Sequence, residues 1–357
     1  MDWRGKILWW AARRLLIKFE PRVLAVTGSI AKTSTKAAIS QALRAVHPNE
    51  VLEGYGNLNT FLGVPLAILG FRLDFYRQRL RWWWPLILLA AIFKGVFGRL
   101  PRFIVLEFGA DHPGDIELLS KMVKLDLAVI TIVGPAHLGN YSDERSIAKE
   151  KAKILTALKV GGVGFVNRQD KHLDLYRRTC QEKLIEVDAR PVELAESFAF
   201  EVARELGLDR SKVRSALAKL ERPKGRFKEY RLGAYTLVDD SYNANPLSMA
   251  AAFDWMKRLP GRKVAVLGEM RELGHDEAIF HQRIGQQARE VFDFIAGVGE
   301  LAKNYRGDVW FSDAAECESK IFTYLKEGDS ILVKGSHALD LERVANSLRE
   351  KLDGLNR

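Results

Sequence analysis

Hydrophobic and polar residues along the chain alternate with the periods of strands and helices. Short apolar runs predict strands at residues 22–27 (RVLAVT), 103–108 (FIVLEF) and 127–133 (LAVITIV). Between them, amphipathic stretches that begin at Lys32 and after Pro113 predict helices. This alternation is typical of a sheet of parallel strands covered by helices on both faces. We therefore predict an α/β fold with a mostly parallel sheet for this part of the chain.

A second α/β series follows a cluster of charged residues, Pro and Gly at residues 221–230 (ERPKGRFKEY). It contains further apolar runs that predict strands alternating with helices, among them YTLVDD, KVAVLG, FIAGVG and ILVKGS. The series has the length of an ordinary domain. We therefore predict a central domain over residues 21–228 and a Rossmann-like C-terminal α/β domain over residues 229–357.

The composition is that of a globular protein, because 47% of the 357 residues are hydrophobic and 28% are charged. These values exclude collagen-like and disordered chains. The two cysteines, Cys180 and Cys317, form no CxxC pair and belong to no Cys/His ladder, which excludes a disulfide framework and a structural zinc site. Such cysteine usage suits a reducing, cytoplasmic setting.

The net charge of +10 is confined to two segments. Residues 1–22 hold six Lys/Arg against two acids, and residues 71–102 hold seven against one, so the rest of the chain is neutral. A neutral body argues against nucleic-acid binding. The same segments contain six of the eight tryptophans, namely Trp3, Trp9, Trp10, Trp82, Trp83 and Trp84. Tryptophan beside arginine is typical of segments that contact a membrane surface.

Residues 1–20 predict an amphipathic interfacial helix. Its charge-free arc consists of Leu8, Trp9, Ala12, Leu15, Leu16 and Phe19. Residues 71–102 are an insertion with twelve uncharged residues between Arg81 and Lys94, fewer than the ~20 that a spanning helix needs. We therefore expect a protein held peripherally at the inner face of the membrane. The alternative is that the two segments pack on each other or on a partner protein.

The first predicted strand runs into TGSIAKT (residues 27–33) and then a helix, which is the context of a phosphate-binding loop. Backbone N–H groups at such a helix start bind phosphate, a lysine such as Lys32 neutralises it, and a hydroxyl such as that of Thr33 ligates Mg²⁺. Val26 and Ala31 occupy the positions at which the G-x-x-x-x-G-K-[ST] pattern has glycine. The alternative is a plain strand-to-helix turn with a solvated lysine.

Six further segments carry a resemblance to one enzyme family. They are GNLNTFLGVP (56–65), LEFGADHPGDI (106–116), AHL (136–138), DDSYNANP (239–246), GEMRELG (268–274) and VKGS (333–336). In this order they resemble the Mur ligases, and most closely the branch that adds D-alanyl-D-alanine to a UDP-muramyl tripeptide. The resemblance implies a P-loop ATPase domain followed by a Rossmann-like domain.

The resemblance also implies a reaction. Such ligases are ATP-dependent and ADP-forming, and they join a carboxylate of a cell-wall precursor to an amino acid or dipeptide. The carboxylate takes the γ-phosphoryl group of ATP, and the incoming amine then displaces phosphate from the acyl phosphate. Positioning and charge neutralisation dominate this chemistry, so ATP and Mg²⁺ are the expected cofactors.

The implied catalytic residues are Lys32, His137 and Lys151, and the implied metal ligands are Thr33, Glu107, His137 and Lys151. Glu107 and His137 each follow a predicted strand, at the end where open α/β sheets bind ligands. Lys151 corresponds to a lysine that is carbamylated in related ligases, and its CO₂ adduct would act as a carboxylate-like metal ligand. Lys149 and Lys153 are the alternatives for that role, and the whole stretch could instead be a solvated basic helix.

The resemblance assigns nucleotide and substrate contacts as well. The implied nucleotide-binding residues are Gly28, Ser29, Ala31, Lys32, Thr33, Ser34, Arg226 and Asp240. The implied substrate-binding residues are Asn57 and Asn59 on the side of the acyl substrate, and Asn243, Lys334 and Ser336 on the side of the amine. Both predicted domains therefore contribute to the expected site.

The sequence departs from the family pattern in ways that bear on the substrate. We expect no uridine-binding N-terminal domain, because the phosphate loop is preceded only by the amphipathic helix. This shifts the expected acceptor from a UDP-sugar towards a lipid-linked or otherwise membrane-held carboxylate. Ala31 replaces a loop glycine. Two other functions stay open: a catalytically inactive membrane scaffold derived from a ligase, and a ligase similar to folylpolyglutamate synthase.

Overall fold

The computed structural model describes residues 3–73, 83–136 and 138–355. The chain divides into two compact units. The first contains the chain up to Val133 together with Asp143–Leu220, and the second contains Gly134–Ser142 together with the chain from Glu221 onward. The domain boundaries predicted from the sequence, 21–228 and 229–357, remain predictions.

A six-stranded parallel sheet forms the centre of the first unit, in the order β2-β3-β1-β4-β5-β6. Its strands are β1 (Arg22–Thr27), β2 (Val51–Glu53), β3 (Phe103–Glu107), β4 (Leu125–Ile130), β5 (Leu158–Asn167) and β6 (Lys183–Val187). Its helices are α1 (Trp3–Phe19), α2 (Lys32–Arg44), α3 (Gly63–Ile68), α4 (Trp84–Phe97), α5 (Asp115–Met122), α6 (Glu144–Ala152), α7 (Leu173–Thr179), α8 (Leu194–Glu205) and α9 (Arg210–Ala218). The central strands are apolar and buried, as parallel strands covered on both faces must be.

The strand order of this sheet reverses around β1, which lies between β3 and β4. Val26 at the end of β1 pairs with Glu107 at the end of β3, and Thr27 pairs with Ile130 at the end of β4. The carboxyl ends of three neighbouring strands therefore lie side by side. Open α/β sheets bind their ligands at such a point.

The second unit has its own six-stranded sheet, in the order β11-β10-β9-β12-β8-β7. Its strands are β7 (Lys228–Leu232), β8 (Tyr235–Asp240), β9 (Lys263–Gly268), β10 (Phe294–Val298), β11 (Val309–Phe311) and β12 (Ser330–Lys334), and its helices are α10 (Pro246–Met256), α11 (Glu277–Arg289), α12 (Ala314–Lys320) and α13 (Glu342–Gly354). Only β7 pairs in the antiparallel sense. Apolar clusters under α10 and α13 form its core. The predicted α/β fold class is confirmed.

The charge-free arc of α1 is a packing surface inside the first unit. Its buried residues include Leu8, Trp9, Ala12 and Leu15. The indole N–H of Trp9 donates to the backbone carbonyl of Phe61 (2.9 Å). Along α4, Gly95 permits close contact with α1, since a Cβ there would lie 2.8 Å from the Cα of Ala11. The expectation that this arc faces a membrane is therefore corrected, because burial against neighbouring helices already removes it from water.

The basic insertion at residues 71–102 contains α4, while its Arg81 and Trp82 lie outside the described residues. The ammonium of Lys94 donates to the backbone carbonyl of Leu69 (2.9 Å), which ties α4 to the end of α3. Among the helices that the structure describes, none combines the length and the apolarity needed to cross a bilayer.

Candidate active site

The loop between β1 and α2 is tied to the end of β4. Gly28 has φ +148°, and a Cβ at this position would lie 1.9 Å from the Oγ1 atom of Thr131, so the loop requires glycine here. The hydroxyl of Thr131 donates to the carbonyl of Ile30 (2.7 Å), and the N–H of Ser29 donates to the carbonyl of Ile132 (2.8 Å). The N-terminus of α2 follows at once, and the first N–H groups of a helix are an anion-binding site.

Lys32 is the first residue of α2. Its ammonium turns back over the loop and donates to the carbonyl of Gly28 (3.0 Å). The cation therefore lies beside the same backbone that would hold a phosphate group, which is the placement that phosphate neutralisation requires.

The Glu107 carboxylate at the end of β3 is held by two of the predicted residues. The hydroxyl of Thr33 donates to its Oε2 atom (2.8 Å), and the side-chain amide of Asn59 donates to its Oε1 atom (3.0 Å). Glu107 is 4% exposed. The structure thus brings together a hydroxyl and a carboxylate, which are oxygen donors of the type that Mg²⁺ binds.

Sequence reasoning missed Lys36, which lies one helical turn after Lys32. Its ammonium is buried and donates to the carbonyls of Gly54 (2.6 Å) and Gly56 (2.8 Å), and it lies 3.9 Å from the Oε2 atom of Glu107. The spacing of four residues on one helix face was a usable signal. Lys36 fixes the segment that leads to Asn59 and adds a positive charge beside the carboxylate.

Lys151 lies near the end of α6 and is 1% exposed. Burial, and to a lesser extent the positive charge of Lys32, lowers the pKa of its ammonium from the ordinary 10.5 to about 7. The negative charges of Asp111, Glu107 and Glu150 act in the opposite direction. These influences show that Lys151 belongs electrostatically to the surroundings of the phosphate loop and Glu107.

The two neighbouring lysines have different surroundings. Lys149 is exposed. Lys153 forms ion pairs with Glu117 and Glu150, each with an N···O distance of 2.9 Å, and the hydrogen bond to Glu117 raises the pKa of Lys153. Because a raised pKa keeps an amine protonated, Lys151 is the member of this group that is best suited to react as a neutral amine.

A buried ion pair joins the ends of β8 and β12 in the second unit. The ammonium of Lys334 donates to the Asp240 carboxylate and to the carbonyl of Asn243 (2.9 Å). Burial raises the pKa of Asp240, while the positive charges of Lys334 and Arg226 act against this rise. The second oxygen of Asp240 accepts the N–H of Phe227 (3.0 Å). Three of the predicted residues are therefore in direct contact here.

Arg226 stacks on an aromatic ring of the second unit, and that ring stacks on a second one. Its guanidinium lies 3.9 Å from the ring centre of Tyr242, and this ring stacks on the imidazole of His337 with 5.0 Å between centres. The carbonyl of Gly225 accepts the N–H of Tyr242 (2.9 Å), which holds the arginine segment against the motif. Ser336 lies two residues beyond β12 and is nearly buried.

Two family descriptions match the chain over most of its length. The Mur ligase middle domain matches residues 91–218, and the Mur ligase, glutamate ligase domain matches residues 225–337. The chain belongs to the Mur ligase family. This confirms the predicted family and the predicted enzyme class, an ATP-dependent, ADP-forming ligase.

Relatives of this Mur ligase carry a common name. The chain is 26% identical over 390 residues to the UDP-N-acetylmuramoyl-tripeptide--D-alanyl-D-alanine ligase of Haemophilus influenzae, covering 96% of this chain and 79% of the relative. It is 28% identical over 372 residues to the ligase of the same name from Synechocystis, covering 93% and 75%.

Solved structures of Mur ligases are similar to this chain over almost its whole length. MurF from Acinetobacter baumannii superposes with a TM-score of 0.81 at 26% identity, over 98% of this chain and 81% of that one. The MurF ligase from Thermotoga maritima in complex with ADP superposes with a TM-score of 0.80 at 25% identity, over 98% and 84%. E. coli FolC, in complex with ADP, shares the fold at 18% identity with a TM-score of 0.68.

His137 of this Mur ligase lies outside the described residues, so its contact with a metal stays a prediction. Within residues 3–73, 83–136 and 138–355, no group of three or more His, Cys, Asp or Glu side chains is arranged to hold a metal. The oxygen donors of Thr33 and Glu107 therefore need further donors, and a carboxylate formed on Lys151 would be one.

Ala31 has the left-handed conformation in this Mur ligase, with φ 59° and ψ 7°, at the N-cap of α2. A side chain in this region is strained, so Ala31→Gly should raise the free energy of unfolding by up to about 1 kcal/mol. Urea denaturation measures this change. The matched control is Ala45→Gly at the other end of α2, where φ is −62°. This substitution should lower the free energy of unfolding. A loss of stability in both variants would contradict the assigned conformation of Ala31.

Proposed function

We propose that the chain forms an amide bond in a cell-wall precursor through an acyl-phosphate intermediate. The observation that carries this proposal is the grouping of Lys32, Thr33, Glu107 and Lys151 around one phosphate-binding loop in a Mur ligase. The related enzymes are named for a UDP-N-acetylmuramoyl tripeptide and D-alanyl-D-alanine. We therefore propose a peptidoglycan-precursor carboxylate as acceptor and an amino acid or dipeptide as amine.

The reaction divides into two transfers. A carboxylate oxygen of the acceptor bonds to the γ-phosphorus of ATP and the bond to ADP breaks. The amine nitrogen then bonds to the acyl carbon, phosphate leaves, and the amine gives up a proton. Both transfers spread negative charge over phosphoryl oxygens, so positive charge and oriented N–H groups supply most of the stabilisation. We assign this stabilisation to Lys32 and the first turn of α2.

The donor set at Glu107 fits Mg²⁺. The Thr33 hydroxyl and the Glu107 carboxylate lie within 2.8 Å of each other, and both are hard oxygen donors. When bound, the ion would neutralise phosphate charge. In this site Thr33, Glu107 and, by its place in the family motif, His137 would hold it, while Asn59 orients the carboxylate.

Removing Glu107 should raise the Mg²⁺ requirement. Glu107→Ala takes one oxygen donor from the site, so we expect the Mg²⁺ concentration for half-maximal ADP release to rise by about 10- to 100-fold and the maximal rate to fall. His137→Ala should act in the same direction. Glu327→Ala, which removes an exposed carboxylate from the second unit, is the control. Unchanged Mg²⁺ titrations for Glu107→Ala and His137→Ala would refute the metal assignment.

We assign Lys151 the role of a carbamylated residue. Carbamylation joins the neutral amine to CO₂, forms an N–C bond and releases one proton, and it converts the uncharged amine into an anion. The low pKa of Lys151 supports this step, because about half of the amine is neutral near pH 7. The product would place a carboxylate among Lys32 and the residues around Glu107.

The amine is proposed to meet the second unit. Asn243 and Lys334 lie at adjoining strand ends, with Ser336 in the following loop. Arg226 and Asp240 are proposed to contact the nucleotide, for which a guanidinium stacked on Tyr242 offers a planar, charged surface. Asn57 and Asn59 are proposed to face the acyl substrate, and Gly28, Ser29, Ala31 and Ser34 to line the phosphates.

The proposed location is the cytoplasm, at the inner face of the membrane. All of the net charge of +10 lies in the two basic segments, which favours an anionic surface as the partner. A ligase held there would suit an acceptor that is itself held at the membrane.

Substrate-dependent ADP release tests the proposed function. The protein, ATP, Mg²⁺ and D-alanyl-D-alanine are combined either with UDP-N-acetylmuramoyl tripeptide or with a detergent extract of bacterial membranes. We expect ADP release that requires both acceptor and dipeptide, and a larger rate with the membrane extract. If no combination of acceptor and amine stimulates ADP release, the protein is a scaffold rather than a ligase.

A further inference from the structure

Helix α1 exposes a second apolar stripe, opposite its buried arc. Trp3, Trp10 and Ile17 recur every seven residues and are 61%, 48% and 65% exposed. Residues with this spacing lie along one side of an α-helix. The opposite side contains Leu8 and Ala12, which pack inside the first unit. Of the three tryptophans of α1, Trp9 is therefore buried, whereas Trp3 and Trp10 are exposed.

Helix α4 repeats this arrangement. Its exposed residues include Leu86, Leu89, Phe93 and Phe97, whose spacings of three and four place them on one side of the helix. The rings of Phe93 and Phe97 are 5.0 Å apart. The buried residues Ile87, Leu88 and Ala91 lie on the opposite side. We call the exposed residues Trp3, Trp10, Ile17, Leu86, Leu89, Phe93 and Phe97 the outer face.

The two helices that carry the outer face are packed against each other. Gly95 of α4 lies against Ala11 of α1, and the guanidinium of Arg4 lies 5.2 Å from the ring centre of Trp84. Each of these two adjoining helices therefore exposes a row of large apolar side chains, and clustered exposed apolar residues of this kind are typical of interaction surfaces.

The charges around the outer face indicate which kind of surface would bind there. The sequences of α1 and α4 contain no Asp or Glu. Lys6, Arg13, Arg14 and Lys18 are exposed on α1, interleaved with the tryptophans. A surface that combines exposed aromatic rings with cations and lacks acids is complementary to anionic headgroups above an apolar layer.

The outer face is also connected to the candidate active site. The ring of Phe61 lies against Gly5 of α1, and the backbone carbonyl of Phe61 accepts a hydrogen bond from the indole N–H of Trp9. Two residues earlier, Asn59 donates to the Glu107 carboxylate. The segment that orients this carboxylate is therefore braced by the helix that carries three of the seven residues of the outer face.

We propose that the outer face docks on an anionic lipid bilayer and holds the acyl-substrate side of the site at the membrane surface. The inference rests on the proposed function only in its choice of a membrane-held acceptor. The docking residues are the exposed ones on α1 and α4 rather than the charge-free arc expected from the sequence. Docked in this way, the protein takes its carboxylate substrate from the bilayer surface.

Vesicle flotation without ATP or substrate tests the docking surface. The full chain is mixed with vesicles of phosphatidylcholine and phosphatidylglycerol, or of phosphatidylcholine alone. We expect flotation with the anionic vesicles, weakened but not abolished by salt, because the apolar contribution is not screened. Trp10→Ser with Phe93→Ser should lower the bound fraction about tenfold. Arg13→Glu with Arg14→Glu should weaken binding mainly at low salt.

The matched control is Ile279→Ser with Leu355→Ser in the second unit. These side chains are 47% and 60% exposed, close to the 48% and 63% of Trp10 and Phe93. The control should float like the wild type. The proposal is overturned if the wild type does not float, if Trp10→Ser with Phe93→Ser floats as well as the control, or if the wild type instead forms a dimer that Trp10→Ser with Phe93→Ser dissociates. ADP release is measured separately, so failure of flotation leaves the ligase proposal standing, and the reverse also holds.

Discussion

Lys32→Ala should lower the rate of substrate-dependent ADP release by about 10²- to 10³-fold while leaving the protein folded. The ammonium of Lys32 lies over the phosphate loop and donates to the carbonyl of Gly28, and its side chain is only partly buried. Its removal therefore takes positive charge from the phosphate site and little from the core. The measurement is steady-state ADP release, with circular dichroism as the check on folding.

Two controls accompany Lys32→Ala. Lys32→Arg keeps a cation at the loop and should retain more activity than Lys32→Ala. Lys212→Ala removes an exposed lysine from α9 and should behave like the wild type. Near-normal ADP release by a folded Lys32→Ala variant would show that residues 28–33 are an ordinary turn and that the phosphate site lies elsewhere.

Lys151→Ala should abolish ligase activity, and short carboxylic acids added to the buffer should restore part of it. The substitution removes the amine that would carry the carbamate, and leaves a space in which a small carboxylate can lie. We expect a loss of about 10²-fold or more, as for the removal of a metal ligand. The measurement is ADP release with and without added acetate or propionate.

Lys149→Ala is the matched control for Lys151→Ala, because the two lysines belong to the same helix and Lys149 is exposed. It should retain wild-type activity and show no response to carboxylic acids. Full activity of Lys151→Ala would transfer the role to Lys149 or Lys153 or remove it altogether. Loss without any rescue, in a folded protein, would argue for a packing role of the buried side chain.

Carbamylation also predicts a pH dependence. The pKa of Lys151 is about 7, so its amine is mostly neutral above that pH and mostly protonated below it. Only the neutral amine combines with CO₂, and each carbamate formed releases a proton. The stimulation of activity by bicarbonate should therefore fall as the pH drops through 7. Lys151→Ala rescued by acetate should lack this response.

Much of the site was predictable because function in parallel α/β sheets is concentrated at strand ends. The apolar runs at 22–27 and 103–108 are short and bounded, so their ends could be read without a structure. Glu107 and the loop before Lys32 follow those ends, and parallel pairing brings them together. The family motifs added the roles proposed for these residues, while the strand pattern alone indicated only that they would be neighbours.

In the second unit, the strand pattern did not indicate which strands would be neighbours. YTLVDD and ILVKGS predicted two strands, but not that these strands would be neighbours in the sheet. Only the sheet order β9-β12-β8 places Lys334 beside Asp240 and allows the buried ion pair. Pairing between strands that lie about ninety residues apart depends on the packing of the whole sheet, which local periodicity does not describe.

The sequence by itself determined the fold class, the order of strand, loop and helix around residues 27–33 and the existence of two basic, tryptophan-rich segments, because each depends on local periodicity, spacing or composition. Tertiary structure alone decided which lysines are buried near Glu107 and which face of α1 is exposed. Lys151 differs from Lys149 and Lys153 through burial. Lys36 lies beside Glu107 because its ammonium donates to the backbone carbonyls of Gly54 and Gly56. Helix α1 has two apolar sides, and its neighbours bury one of them. Burial depends on every element that packs nearby, so no single segment of sequence specifies it.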